Sequence, residues 1–158
     1  MERRIVAVAI VVWVLVAVGL VYAKAAKSAE YGLELHGKSE HRDVGPFNER
    51  NPGIGFYMSN DERTLSLQVG TMRNSHRIQS VYASVEWLPI KSRWLDLGVG
   101  VGGVTGYIGM AVHPAAYALA HVNITPNTHL VARYIPPLPD GMRGLTSFSI
   151  GRTFNERW

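Results

Sequence analysis

The sequence predicts an all-β chain: an eight-stranded antiparallel transmembrane β-barrel after an N-terminal signal peptide. Two observations carry this. From Tyr31 onward, eight short stretches alternate apolar with small or polar residues, most clearly Leu95-Asp96-Leu97-Gly98-Val99-Gly100-Val101-Gly102. A period of two puts all the apolar side chains on one face of a strand. Ahead of them, Glu2-Arg3-Arg4, the apolar run from Ile5 to Val21 and Ala23-Lys24-Ala25 read as a charged region, a hydrophobic region and a cleavage site. Residues 1–25 are therefore expected to be a cleaved signal and residues 26–158 the barrel. The competing reading of the first segment is a retained anchor helix.

Strand 1 is expected over 31–41, with Tyr31, Leu33 and Leu35 on one face and Glu34, His36 and Lys38 on the other. A loop rich in Asp, Gly, Pro and Asn (42–52) precedes strand 2, where Ile54, Phe56 and Met58 face outward. Ser59-Asn60-Asp61-Glu62 turns the chain into strand 3 (Leu65, Leu67, Val69 against Ser66, Gln68, Gly70). Arg73-Asn74-Ser75-His76 connects to strand 4, where Val81, Ala83, Val85 and Trp87 oppose Tyr82, Ser84 and Glu86. Leu88 to Ser92 is read as a turn, followed by strand 5 (94–104), a glycine-containing loop to Pro114, strand 6 (115–124), Thr125-Pro126-Asn127, strand 7 (128–135), the proline-rich loop 136–144 and strand 8 (145–154).

An even strand count closes the barrel with both termini at the short-turn, periplasmic end. The connections 59–62, 88–93 and 125–127 form that end, and the loops 42–52, 73–76, 105–114 and 136–144 face outside. A soluble sandwich or lipocalin-like barrel would show the same alternation with its apolar face turned inward. The other face here would hold Glu34, His36, Lys38, Gln68, Glu86, Asp96, His121, His129 and Arg133, a set suited to a narrow polar lumen. Tyr31, Trp87, Trp94, Tyr134 and Phe154, near strand ends, resemble interfacial girdles.

The 158 residues contain no cysteine, so disulfides, thiolate metal sites and cysteine nucleophiles are excluded. The formal charge of +4 includes Arg3, Arg4 and Lys24 of the leader, and no basic cluster with aromatic interleaving points to nucleic acid. His121 and His129 lie on separate strands and have no metal-ligand spacing. Gly98-x-Gly100-x-Gly102-Gly103 sits inside an alternating strand with no helix after it, so it is not a nucleotide fingerprint. No metal or cofactor is expected. On the outer rim, His41 ends strand 1 while Asn74 and Ser75 tip the strand 3–4 hairpin. A histidine within reach of a serine hydroxyl is the minimum for acyl transfer.

Phe47-Asn48-Glu49-Arg50 with Gly53-x-Gly55-Phe56 resembles the first-loop motif of the outer-membrane lipid A palmitoyltransferase family. The likeness continues through Arg73-Asn74-Ser75, where the family has Lys-Asp-Ser. It extends to Glu86-Trp87-Leu88-Pro89, Leu95-x-Leu97-Gly98-Val99-Gly100 and Tyr134-Ile135-Pro136. Shorter relatives of that barrel, phage-encoded ones among them, share Asn-Pro-Gly-x-Gly, Asn-Ser and a Ser-x-His resembling Ser39-Glu40-His41. The resemblance implies an outer-membrane barrel of a Gram-negative bacterium, host- or phage-encoded and acting as a monomer. Such a barrel moves an acyl chain from a phospholipid to lipid A. The family's functional histidine, aspartate and serine fall on His41 (His36 is the weaker choice), Asn74 and Ser75.

Asn74 departs from the pattern, because a neutral amide cannot stabilise an imidazolium as a carboxylate does. Asp43 is the nearest acid in sequence. A non-catalytic barrel that alters the cell surface, for example by masking a phage receptor, is therefore the second expectation. Pro114 and Pro136-Pro137, which lack N–H donors, are expected to leave the wall open at the outer ends of strands 6 and 7 or merely to end those strands.

Overall fold

The computed structural model describes residues 30–42, 45–107, 109–137 and 144–154. The expected signal segment and Asp43 lie outside them. Eight strands follow one another: β1 (Glu30–His41), β2 (Arg50–Ser59), β3 (Leu65–Arg73), β4 (Gln79–Ile90), β5 (Leu95–Val104), β6 (His113–Thr125), β7 (Thr128–Ile135) and β8 (Leu145–Thr153). Each pairs antiparallel with the next, and β1 pairs with β8 to close the barrel. Closure gives every strand a partner on both sides, the condition for strands in lipid.

The faces are assigned by what is buried. Glu34, Gln68, Glu86, Asp96, Arg133 and Ser149 are buried, while Leu35, Ile54, Val81, Val99, Val101 and Ile150 are exposed. A water-soluble fold buries the second set and exposes the first. The inversion identifies the outer wall as a lipid-facing surface. Tyr31, Trp87, Trp94, Tyr134 and Phe154 all stand exposed on that wall near strand ends, as interfacial girdles require.

Two boundaries differ from the sequence reading. β2 starts at Arg50 and passes through Pro52, within the expected loop. Its ladder with β3 begins only at Gly53–Met72, so the missing N–H of Pro52 costs no rung there. Asn51 bridges the interval instead, donating to the Arg73 carbonyl (2.9 Å) and accepting from Ser39 Oγ (2.6 Å). β4 runs past the expected turn to Ile90. Leu88 buries its side chain in the lumen and its N–H donates to the Thr64 carbonyl (2.7 Å), while Pro89 faces out and the register with β5 shifts.

A third difference concerns Lys38. Against β8, β1 carries one extra residue between His36 and Lys38, and such a bulge reverses the alternation. Ser39 is buried in the lumen, whereas Lys38 projects outward and pairs with Glu40 at 2.6 Å. Lys38 is thus not a lumen residue.

The middle of the lumen is plugged. Arg133 makes a two-pronged contact with Glu34 (2.5 and 2.8 Å), bonds Glu86 (2.8 Å), and donates to Ser149 and Gln68 (both 3.1 Å). Tyr117 donates to Glu86 (3.0 Å), and Gln68 donates to Glu34 (2.7 Å). Below this network a wide cavity of about 930 Å³ opens at the turn end, and above it a smaller one of about 130 Å³ lies at the loop end.

Candidate active site

The Asn74-Ser75 tip is built by its asparagine. Asn74 Oδ1 accepts from the His76 and Ile78 N–H groups (2.9 and 3.0 Å), and its backbone N–H donates to the Ile78 carbonyl (2.9 Å). Arg77 closes the turn with φ of 63° and donates to the Asn74 carbonyl. The same device recurs at the opposite end of the barrel. There Asn60 Oδ1 accepts from Thr64 and Leu65, and Arg63, with φ of 54°, donates to the Asn60 carbonyl. Asn74 is therefore a turn-former by position, since an Asx side chain mimics a backbone turn.

Its amide nitrogen is also committed, donating to Ser80 Oγ (2.9 Å) and the Gly106 carbonyl (3.0 Å). Gly106, at φ of 84°, comes so close that a β-carbon there would press on Ser80 Oγ and Asn74 Nδ2. Asn74 is 1% exposed, and its side-chain bonds leave none for His41.

His41 and Ser75 share neighbours without bonding to one another. The His41 ring stacks on Phe47 (4.4 Å, 18°), and Phe47 meets His76 edge-on at 6.4 Å. Ser75 is buried, with its hydroxyl 3.5 Å from Tyr107 Oη. Tyr107 in turn contacts His76 (5.4 Å) and His113 (5.5 Å). His41 Nδ1 is buried with no hydrogen-bond partner among the described residues. His121 Nε2, inside the lumen, is likewise buried without a hydrogen-bond partner among the described residues. His36, the alternative histidine, faces the lumen as expected, with its Nε2 held by Tyr82 Oη at 2.5 Å.

Sequence reasoning missed Phe47, Tyr107 and His76 as members of this cluster. A signal for the first existed in the Phe47-Asn48-Glu49-Arg50 motif. Asn48 fastens its own segment to the hairpin tip, its N–H donating to the Ser75 carbonyl (2.9 Å) and its Nδ2 to the Asn74 carbonyl (3.2 Å). Nothing in the spacing of Tyr107 or His76 marks them, because the β3–β4 tip and the loop after β5 meet only once β4 pairs with β5.

The upper cavity reaches the cluster from below: Asn74, Ser75 and Tyr107 line it with Met72, Val104, Ala115, Ile135 and Leu145, above Arg133 and Tyr117. Beside it the wall is incomplete. β6 pairs with β5 from His113 onward, opposite Val104, but with β7 only from Ala118, opposite Tyr134. His113 to Tyr117 therefore have no rung to β7, and Pro136-Pro137 follow β7 at the same level. Pro114 does not end β6; it lies within it, opposite Gly103. Ala115, Tyr117 and Ile135 border the gap and line the cavity. Among the described residues, no group of three or more His, Asp or Glu side chains could hold a metal.

Against known structures, the barrel superposes on a de novo designed transmembrane β-barrel with a TM-score of 0.58 at 15% identity, covering 79% of this chain and 95% of the design. The fold is that of a transmembrane β-barrel. The outer membrane protein Ail of Yersinia pestis (TM-score 0.44, 13% identity, 80% of this chain and 100% of Ail) also matches. So does Neisserial surface protein A (0.40, 14%, 80% and 96%). No protein-family model and no curated protein matches the chain. The likeness to the palmitoyltransferase family accordingly rests on the sequence motifs.

Proposed function

We propose that this chain is an outer-membrane lipid acyltransferase, with its loop end outside and its site at the rim around Ser75 and His41. The observation that carries the reading is the gap between β6 and β7 at the loop end, bordered by residues that also line a cavity ending at Ser75. A lipid chain could pass sideways through such a gap without crossing the polar rim. The plug of Arg133, Glu34 and Glu86 gives the chain a floor and argues against a pore.

In this scheme His41 takes the Ser75 proton as Oγ attacks the phospholipid ester carbonyl. The ester C–O bond breaks, the lysophospholipid leaves with the proton from the imidazolium, and the acyl chain rests on Ser75. A lipid A hydroxyl then attacks that ester, gives its proton to His41, and the proton returns to Ser75 Oγ. Catalytic hydrogen bonds are often unformed without substrate, so His41 must approach Ser75 when lipid enters. Asn74 shapes the tip and supplies no charge.

A second reading is favoured by one observation. Asn74 repeats the structural role of Asn60, so the Asn-Ser tip needs no catalytic explanation. On that reading the barrel alters the cell surface without chemistry. Mass spectrometry of lipid A from cells with and without the protein separates the two. Added acyl mass that disappears in both His41→Ala and Ser75→Ala supports transfer. Unchanged lipid A in wild-type cells removes it.

A further inference from the structure

Four cations stand together on the outer wall at the loop end of β1 to β4. Lys38 and Arg50 are register partners across β1 and β2, Arg73 ends β3, and Arg77 lies at the tip of the next hairpin. All four are exposed. Their chain neighbours Ser39, Asn51 and Asn74 are buried on the lumen side, so alternation turns Lys38, Arg50 and Arg73 outward. Farther along the same outward faces come Ile54, Phe56 and Val69, all exposed and apolar. The charges thus begin where the apolar wall ends.

Lys38 is paired with Glu40. Arg50, Arg73 and Arg77 enter no ion pair among the described residues, although exposed Glu49 adjoins Arg50 in sequence. Arg73 Nε donates only to the Arg77 carbonyl, at 3.3 Å. The corresponding outward positions on the other half of the barrel, Val101, Gly103, Ala116, Tyr134 and Phe148, carry no charge. Among the described residues, the arc therefore lies on one side of the barrel.

We infer that this arc binds the phosphate groups of a phosphorylated glycolipid in the outer leaflet. Guanidinium groups match phosphate with two parallel hydrogen bonds each. A soluble polyanion would use the charges but not the apolar wall below them. A glycolipid with phosphomonoesters and several acyl chains uses both. A zwitterionic phospholipid brings its own cation and competes poorly for three arginines that have no ion pair among the described residues. The arc faces outward and the rim cluster faces inward, so this binding does not depend on acyl transfer, only on the loop end lying outside.

Native mass spectrometry of the full barrel in micelles, titrated with bisphosphorylated lipid A, tests the inference. Replacing the three arginines together (Arg50→Gln, Arg73→Gln, Arg77→Gln) should weaken binding about tenfold or more. Dephosphorylated lipid A should bind the wild type as weakly, and added salt should weaken the native complex. Arg93→Gln with Arg152→Gln, at the turn end, should change nothing. Wild-type affinity in the triple variant, or equal affinity for the dephosphorylated lipid, overturns the site. Phosphatidylglycerol bound as tightly as lipid A overturns the assigned ligand. If the triple variant fails to fold, the single variants Arg50→Gln, Arg73→Gln and Arg77→Gln take its place; each should weaken binding, and wild-type affinity in all three overturns the site. Ser75→Ala should bind lipid A normally, and a wild-type barrel that binds lipid A without transferring an acyl chain would count against the acyltransferase alone.

Discussion

Removing Arg133 should destabilise this barrel more than any other single change in the lumen. Its guanidinium satisfies Glu34 and Glu86, which are 2% and 3% exposed. In Arg133→Met, Glu34 keeps donors from Gln68 and Ser149, and Glu86 keeps the Tyr117 hydroxyl. Neither keeps a cation of comparable closeness, since His121 lies 4.0 Å from Glu86 and His36 3.5 Å from Glu34. Breaking a buried pair by deleting one partner costs about 3–5 kcal/mol, mostly through the charge left behind. Replacing both carboxylates as well (Arg133→Met with Glu34→Gln and Glu86→Gln) should recover much of that loss, because groups in one network do not act additively. Urea unfolding in lipid vesicles, followed by the fluorescence of the wall tryptophans Trp87 and Trp94, measures both variants. Arg133→Met within about 1 kcal/mol of wild type, or a triple variant less stable than the single one, would refute the reasoning.

Val99→Arg, at an outward position midway along β5, should impair assembly by about 2–4 kcal/mol, whereas Asn123→Arg, lining the wide cavity at the turn end, should be tolerated; equal folding yields would mean the faces are misassigned. Gln68 is unsuited to that comparison, being fully buried between Glu34 and Arg133. Asn74→Asp should cost about 1–3 kcal/mol, since its carboxylate would lose the bond to the Gly106 carbonyl and repel that oxygen, while Asn60→Asp, whose amide nitrogen meets only the Thr64 hydroxyl, should cost less; paired denaturation curves decide it. Gly100→Ala should destabilise by about 1–3 kcal/mol, because its methyl group would meet the Tyr117 ring inside the lumen; unchanged stability would mean the lumen is looser than described.

Strand number, order and face were legible in the sequence because alternation is a local signal and each strand carries it alone. The polar lumen followed from the same parity, down to the Glu34, Gln68, Glu86 and Arg133 set. Lys38 misled because a bulge is a relation between two strands, and its one local hint, Gly37, is no different from Gly55, Gly70 and Gly100, which sit in regular ladders. The sequence places Pro52 in a loop and Pro89 in a turn, yet both lie within strands at positions where no rung needs their N–H: the β2–β3 ladder starts at Gly53, and the β4–β5 register shifts between Trp87 and Ile90. At the rim, the sequence brought His41, Asn74 and Ser75 to one end of the barrel. It did not reveal that Asn74 would be consumed by its own turn, nor that Phe47 would stack on His41. The first needs the loop after β5 to bring the Gly106 carbonyl to its amide, and the second depends on how the loop after β1 folds back, and neither leaves a periodic signal in the sequence.

The most direct test of the central claim uses purified components. The wild-type barrel would be reconstituted into vesicles holding isotope-labelled phospholipid and lipid A, and the products followed by mass spectrometry. The account predicts labelled acyl chain on lipid A, with lysophospholipid in equal amount, and neither from Ser75→Ala in a barrel that still shows heat-modifiable gel mobility. No transfer by the folded wild type, or undiminished transfer by Ser75→Ala, would contradict it.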